Sequence, residues 1–284
     1  MPRGPKLVID PADIVEAGAR EHYADAALYD YEYRRRRADV TFYRQLAAKR
    51  VPPGGSILEL GAGSGRVTLP LAHDGFRVIA IDRAPAMLDK LRERVDAAPV
   101  AVRKRITVAE GDLRGFRVRG RFPLIVAAFN VVEHLYTRGE VDACLRAAAT
   151  HLAPGGAFVF DVQVPDLPWL ARDPGKRWAR TRFTDPSTGE KLVYSTNHDY
   201  DPIAQIALIR IYYTPPSGPE KVVQLSQRKF FPAELEALVA HAGLRVSARF
   251  GDFFWGPLDA RSETQVLVCE RRSSSRKSRF PTRI

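Results

Sequence analysis

The sequence predicts an α/β protein with a doubly wound sheet of seven mostly parallel strands, and two observations support this fold class. First, residues 56–72 run from an apolar strand pattern, through a turn with glycine at every second position, into a helical pattern. This order is typical of the start of a doubly wound sheet. Second, three further buried-strand patterns end near Asp82, Asp112 and Asn130. The last of them is apolar throughout, as expected of a central parallel strand.

The elements ahead of and within the core follow from the same patterns. Residues 1–50 are expected to form an N-terminal helical cap, because residues 12–50 have a helical pattern and a Pro-Pro-Gly-Gly segment ends it. The core is predicted over residues 51–164, and its fifth strand over residues 157–162.

An antiparallel β-meander is predicted as an insertion over residues 165–229. Its segments alternate or are rich in β-branched and aromatic residues, with Pro- and Gly-containing turns between them. Residues 230–271 are expected to complete the core with one helix and a reversed pair of strands. Residues 272–284 are rich in serine and arginine and predict a disordered basic tail.

The spacing of the Gly-rich turn indicates its ligand. A dinucleotide-binding turn has the pattern G-x-G-x-x-G, whereas Gly61, Gly63 and Gly65 alternate here and follow Glu59. The resulting E-x-G-x-G-x-G pattern resembles motif I of the class I methyltransferases, which use S-adenosylmethionine (SAM). The resemblance implies a Rossmann-like core that binds SAM and releases S-adenosylhomocysteine. Taken alone, the glycine pattern is also compatible with a tight strand–helix turn that binds nothing.

Roles for individual cofactor-binding residues follow from this resemblance and from position. Asp82 lies 21 residues after Gly61, where such folds place the acid that binds the ribose hydroxyls. The Gly-Asp-Leu motif of the family implies an adenine contact for Asp112, while Met87 either lines the adenine pocket or packs in the core. The predicted cofactor-binding residues are Glu59, Gly61, Ala62, Gly63, Asp82, Arg83, Met87, Gly111, Asp112, Leu113, Phe129 and Asn130.

The span from about residue 23 to residue 270 is similar to one group of these enzymes, the small-molecule methyltransferases that include glycine N-methyltransferase relatives and sugar N,N-dimethyltransferases. The similarity rests on tyrosines ahead of the core, residues 111–116 and 228–232, a histidine after the fourth strand, and the meander. It implies that the cap and the meander cover a small-molecule acceptor with a nucleophilic nitrogen or oxygen. The predicted catalytic residues are His134, Tyr29 and Tyr33. Helix packing is the alternative role for the two tyrosines.

Composition limits the other function classes. The net charge is +11, and the last fourteen residues alone contribute +6 of it. Because phosphate contacts dominate nucleic-acid affinity, this basic tail makes an RNA or protein substrate the first alternative. No RNA-binding module is visible in the sequence. Arg34 to Arg37 form a second basic cluster, which is interpreted as an exposed helix face. A non-catalytic SAM-binding module is the second alternative, and the glycine spacing disfavours a third, an NAD(P) oxidoreductase.

Metal, membrane and localisation expectations are simple. Cys144 and Cys269 lie far apart and form no metal-type spacing, so no metal site is predicted. No apolar stretch approaches the roughly 20 residues that span a membrane, and a cytoplasmic protein is the expectation. An exposed edge of the meander is a surface through which two copies could pair as a homodimer.

Overall fold

The computed structural model describes residues 11–272, so the predicted basic tail lies outside the described residues except for Arg272. The cap contains α1 (Pro11–Gly18), a 3₁₀ turn (Glu21–Tyr23), α2 (Ala26–Tyr33) and α3 (Ala38–Arg50). The Asp25 carboxylate caps α2 by accepting a hydrogen bond from the Leu28 amide at 3.0 Å. The cluster from Arg34 to Arg37 occupies the turn between α2 and α3, so its interpretation as a helix face was wrong: the chain turns there before α3 lies on the sheet.

The strands alternate with the remaining helices. In chain order the strands are β1 (Ser56–Leu60), β2 (Arg77–Asp82), β3 (Ile106–Glu110), β4 (Phe122–Ala127), β5 (Leu152–Gln163), β6 (Trp178–Thr184), β7 (Lys191–Asp201), β8 (Ile206–Thr214), β9 (Lys221–Arg228), β10 (Leu244–Phe250) and β11 (Thr264–Arg271). The remaining helices are α4 (Thr68–His73), α5 (Pro85–Ala97), α6 (Val100–Arg103), α7 (Arg138–His151), α8 (Leu167–Leu170) and α9 (Pro232–His241), with a 3₁₀ turn at Val131–His134.

The core is a seven-stranded sheet in the order β10-β11-β5-β4-β1-β2-β3. Strands β3, β2, β1, β4 and β5 pair in parallel, and β11 is antiparallel to both β5 and β10. Only β11 therefore runs against the other strands, rather than a reversed pair. The predicted Rossmann-like fold is confirmed, and its strand order places the carboxyl ends of β1, β2 and β4 side by side at one edge, where such sheets bind ligands.

Two apolar layers cover the faces of this sheet. One contains buried side chains of α7 and α9, and the other contains buried side chains of α3, α4 and α5. Phe42 and Tyr43 of α3 are fully buried in the second layer, so the cap is packed onto the core rather than loosely attached. Burial of aromatic rings of this size contributes strongly to the stability of the docked cap.

The predicted meander is a separate four-stranded antiparallel sheet in the order β6-β7-β8-β9. We call it the lid sheet. Leu28 of α2 packs with buried side chains of this sheet, among them Tyr213 and Leu225. Helix α1 lies against β9 so closely that a Cβ atom on Gly18 would come 2.7 Å from the Ser226 amide nitrogen. The cap therefore touches both the core and the lid sheet.

Within residues 11–272, no helix has the length and apolar character needed to cross a membrane.

Candidate active site

The glycines of the turn after β1 have different structural roles. Gly61, Gly63 and Gly65 all have positive φ angles, of 67°, 57° and 88°. A Cβ atom on Gly61 would lie 2.5 Å from the Val131 side chain, whereas one on Gly63 would meet no atom within 4 Å. Gly63 lines the cavity at the carboxyl edge of the sheet, so its missing side chain leaves space for a ligand next to the backbone.

Most of the predicted site residues line this one cavity. The eleven that do so are Tyr29, Glu59, Gly61, Ala62, Gly63, Asp82, Arg83, Met87, Leu113, Phe129 and His134. Sequence reasoning had not selected Tyr23 or Arg66, which also line it. Residues from the cap, the Gly-rich turn and the loops after β2 and β4 thus meet around one space.

Four predicted residues are placed outside the lining. The Asp112 carboxylate accepts hydrogen bonds from the backbone and side chain of Arg114, and Gly111 donates its N–H to the Asp82 carbonyl. The Tyr33 hydroxyl lies 3.3 Å from His22 Nε2, and Asn130 continues the loop after β4. The adenine contact of Asp112 and the catalytic role of Tyr33 stay predictions.

Asp82 ends β2 and organises the turn beside it. Its two carboxylate oxygens accept hydrogen bonds from the Gly63 amide at 2.7 Å and the Ala84 amide at 2.8 Å. Burial raises the pKa of Asp82, and these amides oppose the shift. Each oxygen keeps a second lone pair, so a ligand diol could still donate to both of them.

Glu59 is buried at the end of β1. Its Oε2 accepts a hydrogen bond from the Thr68 hydroxyl at 2.6 Å. Burial raises the pKa of Glu59 to about 7, against opposing effects of Thr68 and Arg66. A cationic ligand group next to this carboxyl would therefore favour its ionised form.

Asp161 of β5 holds the loop after β4 in an unusual conformation. Its carboxylate accepts hydrogen bonds from the amides of Phe129 and Asn130 at 2.9 to 3.1 Å and from the Tyr43 hydroxyl at 2.6 Å. Phe129 and Asn130 have positive φ angles of 68° and 61°, which cost free energy in residues other than glycine. Sequence reasoning missed Asp161; an acid near the end of an otherwise apolar strand was the available signal.

The cap brings an aromatic cluster to the cavity. The Tyr23 hydroxyl lies 2.6 Å from His134 Nε2, and the Tyr136 hydroxyl lies 3.2 Å from His134 Nδ1. Burial lowers the pKa of His134 to about 3, and the nearby Arg83 adds to this effect. Burial also raises the pKa of Tyr23 well above its usual value. His134 and Tyr23 are therefore both neutral at physiological pH.

Two polar contacts attach the cap to the Gly-rich turn. The Ser64 hydroxyl donates to Asp30 Oδ1 at 2.5 Å. The Arg66 guanidinium forms two hydrogen bonds with the Asp39 carboxylate, at 2.5 and 2.8 Å, and also lies 4.7 Å from the centre of the Phe129 ring. The position of the cap thus affects the part of the turn that faces the cavity.

The donor and acceptor set fits the cofactor that the motif resemblance implies. Asp82 can accept from ribose hydroxyls and Glu59 from an ammonium group, while Met87 and Leu113 supply apolar surface for a purine. Gly63 leaves the backbone open to close approach. Within the part of the chain that the structure describes, no group of three or more His, Cys, Asp or Glu side chains is arranged to hold a metal ion.

Comparisons with known proteins show that methyltransferases resemble this chain. Residues 57–156 match a family model described as a methyltransferase domain. A cypemycin N-terminal methyltransferase from a Streptomyces species is 29% identical over 230 residues, which cover 80% of this chain and 87% of that protein.

Solved structures extend the likeness to the cap and the lid sheet. The CcbJ methyltransferase from Streptomyces caelestis is 27% identical and has a TM-score of 0.74, covering 89% of this chain and 98% of its own. The glycopeptide N-methyltransferase MtfA in complex with SAM is 22% identical and has a TM-score of 0.56, covering 82% of this chain and 94% of its own. The second likeness shows the fold alone.

Proposed function

Because the chain is a class I SAM-dependent methyltransferase, we propose that it methylates a nitrogen or oxygen nucleophile of a small molecule, with an amine nitrogen as the favoured acceptor. The observation that supports this choice most directly is the hydrogen bond between Tyr23 and His134, since Tyr23 lines the same cavity as the predicted SAM-binding residues. The name of the cypemycin relative, an N-terminal methyltransferase, also favours nitrogen over oxygen.

SAM, when bound, would supply a methyl group on a positively charged sulfur, so that an acceptor lone pair attacks the methyl carbon in line and the sulfur is the leaving group. The acceptor amine must be neutral to attack, because a protonated amine has no free lone pair. After attack the new C–N bond uses the nitrogen lone pair, the methyl–sulfur bonding pair stays on sulfur, and the positive charge moves to nitrogen. The protein has mainly to orient the two reactants and exclude water.

The neutral pair Tyr23 and His134 suits an uncharged acceptor amine. Burial and the neighbouring cation Arg83 keep His134 neutral and make the surroundings unfavourable for an ammonium ion. The Tyr23 oxygen can accept a hydrogen bond from an amine N–H and so aim the nitrogen lone pair along the transfer line. Tyr29 forms the adjacent wall of the cavity, where it can limit the size of the acceptor.

Measurements of ligand binding and of turnover would test this function. Calorimetry should show tight binding of S-adenosylhomocysteine and no binding of NADH. The SAM-saturated enzyme should then methylate members of a panel of primary and secondary amines, with release of S-adenosylhomocysteine as the readout. Methylation of hydroxyl acceptors only, at a comparable rate, would contradict the preference for nitrogen.

The His134→Ala variant separates catalysis from cofactor binding. We expect turnover to fall by about 100-fold or more, a typical contribution of a positioned polar group at the reacting atoms. Affinity for S-adenosylhomocysteine should stay within about twofold, because His134 acts on the acceptor through Tyr23 and is not among the predicted cofactor-binding residues. His241→Ala is the control, since His241 is half-exposed beside Asp142, away from the cavity. Unchanged turnover of His134→Ala with saturating acceptor would remove His134 from the mechanism.

A further inference from the structure

A chain of hydrogen bonds continues from the Tyr23–His134 pair to the backbone of the cap. His134 Nδ1 lies 3.2 Å from the Tyr136 hydroxyl, and Tyr136 lies 2.6 Å from Ser226 Oγ. Ser226 Oγ in turn lies 2.7 Å from the carbonyl oxygen of Val15 in α1. Five groups are therefore linked in series, and the last of them, a carbonyl, can only accept.

The terminal carbonyl fixes the direction of every bond in the chain. Two oxygen atoms 2.7 Å apart need a hydrogen between them, so Ser226 must donate its hydroxyl hydrogen to Val15. By the same argument Tyr136 must donate its own hydrogen to Ser226 Oγ at 2.6 Å, with the Ser226 carbonyl oxygen at 3.2 Å as a second acceptor of that hydrogen. The Tyr136 oxygen is left as an acceptor toward His134.

His134 consequently has only one tautomer compatible with its neighbours. Nδ1 must carry the hydrogen that Tyr136 accepts, and since the ring is neutral, Nε2 must be the lone-pair atom. Tyr23 then has to donate to Nε2. Its oxygen presents only lone pairs to the cavity.

We propose that Tyr136 and Ser226 are positioning residues that hold His134 in the Nδ1–H tautomer and so make the Tyr23 oxygen an obligatory acceptor of an N–H from the substrate. This inference rests on the proposed function and defines its substrate class more narrowly. The acceptor must offer a hydrogen on the reacting atom, which primary and secondary amines do and tertiary amines do not. In water the Nε2–H tautomer of a neutral histidine side chain is the more populated form, so the hydrogen-bond chain opposes the intrinsic preference of the ring.

The chain joins all three parts of the molecule. Tyr23 and Val15 belong to the cap, His134 and Tyr136 to the core, and Ser226 to strand β9 of the lid sheet. A Cβ atom on Gly18 would come within 3 Å of Ser226. The absence of this atom lets α1 lie close enough to β9 for the hydrogen bond between Ser226 and Val15. The complete hydrogen-bond chain therefore exists only where the cap, the core and the lid sheet are docked together.

The tautomer can be measured directly, without knowledge of the substrate. Nitrogen NMR of protein labelled with ¹⁵N in the histidine rings distinguishes a protonated from an unprotonated ring nitrogen, and the His134 signals are assigned by their loss in His134→Gln. We expect Nδ1 protonated and Nε2 unprotonated in the wild type, and the opposite or a mixture in Tyr136→Phe. An Nε2–H tautomer in the wild type, or an unchanged Nδ1–H tautomer in Tyr136→Phe, would overturn the proposal.

Kinetics with an accepted amine test the consequence for catalysis. We expect kcat of Tyr136→Phe to fall at least tenfold with unchanged affinity for S-adenosylhomocysteine. Ser226→Ala should lose less, because the Ser226 carbonyl can still accept from Tyr136. Tyr212→Phe is the matched control, since it removes a buried tyrosine hydroxyl of the lid sheet that bonds to Asn197 at 3.1 Å, away from His134. Equal kcat in Tyr136→Phe and Tyr212→Phe would refute the positioning role, whereas a failed amine screen with the Nδ1–H tautomer present would refute only the proposed function.

Discussion

The buried carboxyl of Glu59 predicts that cofactor affinity depends on pH. Burial raises its pKa to about 7, so the group changes charge in the range where enzymes are usually assayed. An ammonium group of the cofactor would bind the ionised form and not the protonated one. Affinity for S-adenosylhomocysteine should therefore be near its maximum at pH 8 and should fall as the pH drops through about 7.

The size of this effect follows from the titration curve. With a pKa of about 7, the ionised fraction of Glu59 falls about tenfold between pH 8 and pH 6. The dissociation constant should rise by the same factor, which corresponds to about 1.4 kcal/mol. Calorimetry at pH 6, 7 and 8 measures it, and the protons released on binding at pH 6 should change the observed heat between buffers of different ionisation enthalpy.

The Glu59→Gln variant is the control, because its amide can still accept a hydrogen bond but cannot titrate in this range. We expect weaker binding at pH 8 and little dependence on pH. A wild-type dissociation constant that is equal at pH 6 and pH 8 would refute the reasoning. An unchanged slope in Glu59→Gln would assign the titration to another group, of which Asp82 is the first candidate because burial also raises its pKa.

Three further outcomes are expected. Asp82→Ala should weaken binding of S-adenosylhomocysteine at least tenfold by calorimetry, because the ribose acceptor and the acceptor of the Gly63 and Ala84 amides are both lost; unchanged affinity would exclude the ribose role. Gly18→Ala should lower turnover but not cofactor affinity, since α1 must move away from Ser226, whereas Gly139→Ala, with no contact closer than 3.9 Å, should lower neither. Asp161→Asn should lower the free energy of unfolding by about 2 kcal/mol in urea denaturation, because the amide cannot replace every hydrogen bond that the carboxylate accepts; an unaltered midpoint would contradict this.

The sequence was largely sufficient to bring the predicted cofactor-binding residues together, because they lie at the ends of neighbouring parallel strands. In a parallel sheet the carboxyl ends of neighbouring strands lie at the same edge. The topology therefore brings the glycine pattern after β1 close to the acid at the end of β2. Glu59, Gly63 and Asp82 therefore line one cavity, as their spacing predicted. The spacing did not predict the surroundings of Asp112, because its carboxylate forms an ion pair with the nearby Arg114.

The residues proposed to face the methyl acceptor come together only when the cap docks on the core. No local sequence pattern predicts such docking. Tyr23 and His134 are separated by 111 residues, and their contact exists only because the cap packs on the core. Among the tyrosines of the cap, the family resemblance favoured Tyr29 and Tyr33 over Tyr23. Ser226 looked like an ordinary strand residue, because its bond to the Val15 carbonyl requires two elements from distant parts of the chain to meet.

The docked cap links the two halves of the site through separate contacts. Asp39 binds Arg66 of the Gly-rich turn on the cofactor side, and Val15 terminates the chain that orients His134 on the acceptor side. Val15 lies in α1, which packs against β9 of the lid sheet, whereas Asp39 lies in α3, which packs on the core sheet. We therefore expect displacement of α1 to affect the His134 tautomer, and displacement of α3 to affect the Gly-rich turn, because each helix contacts only one of the two.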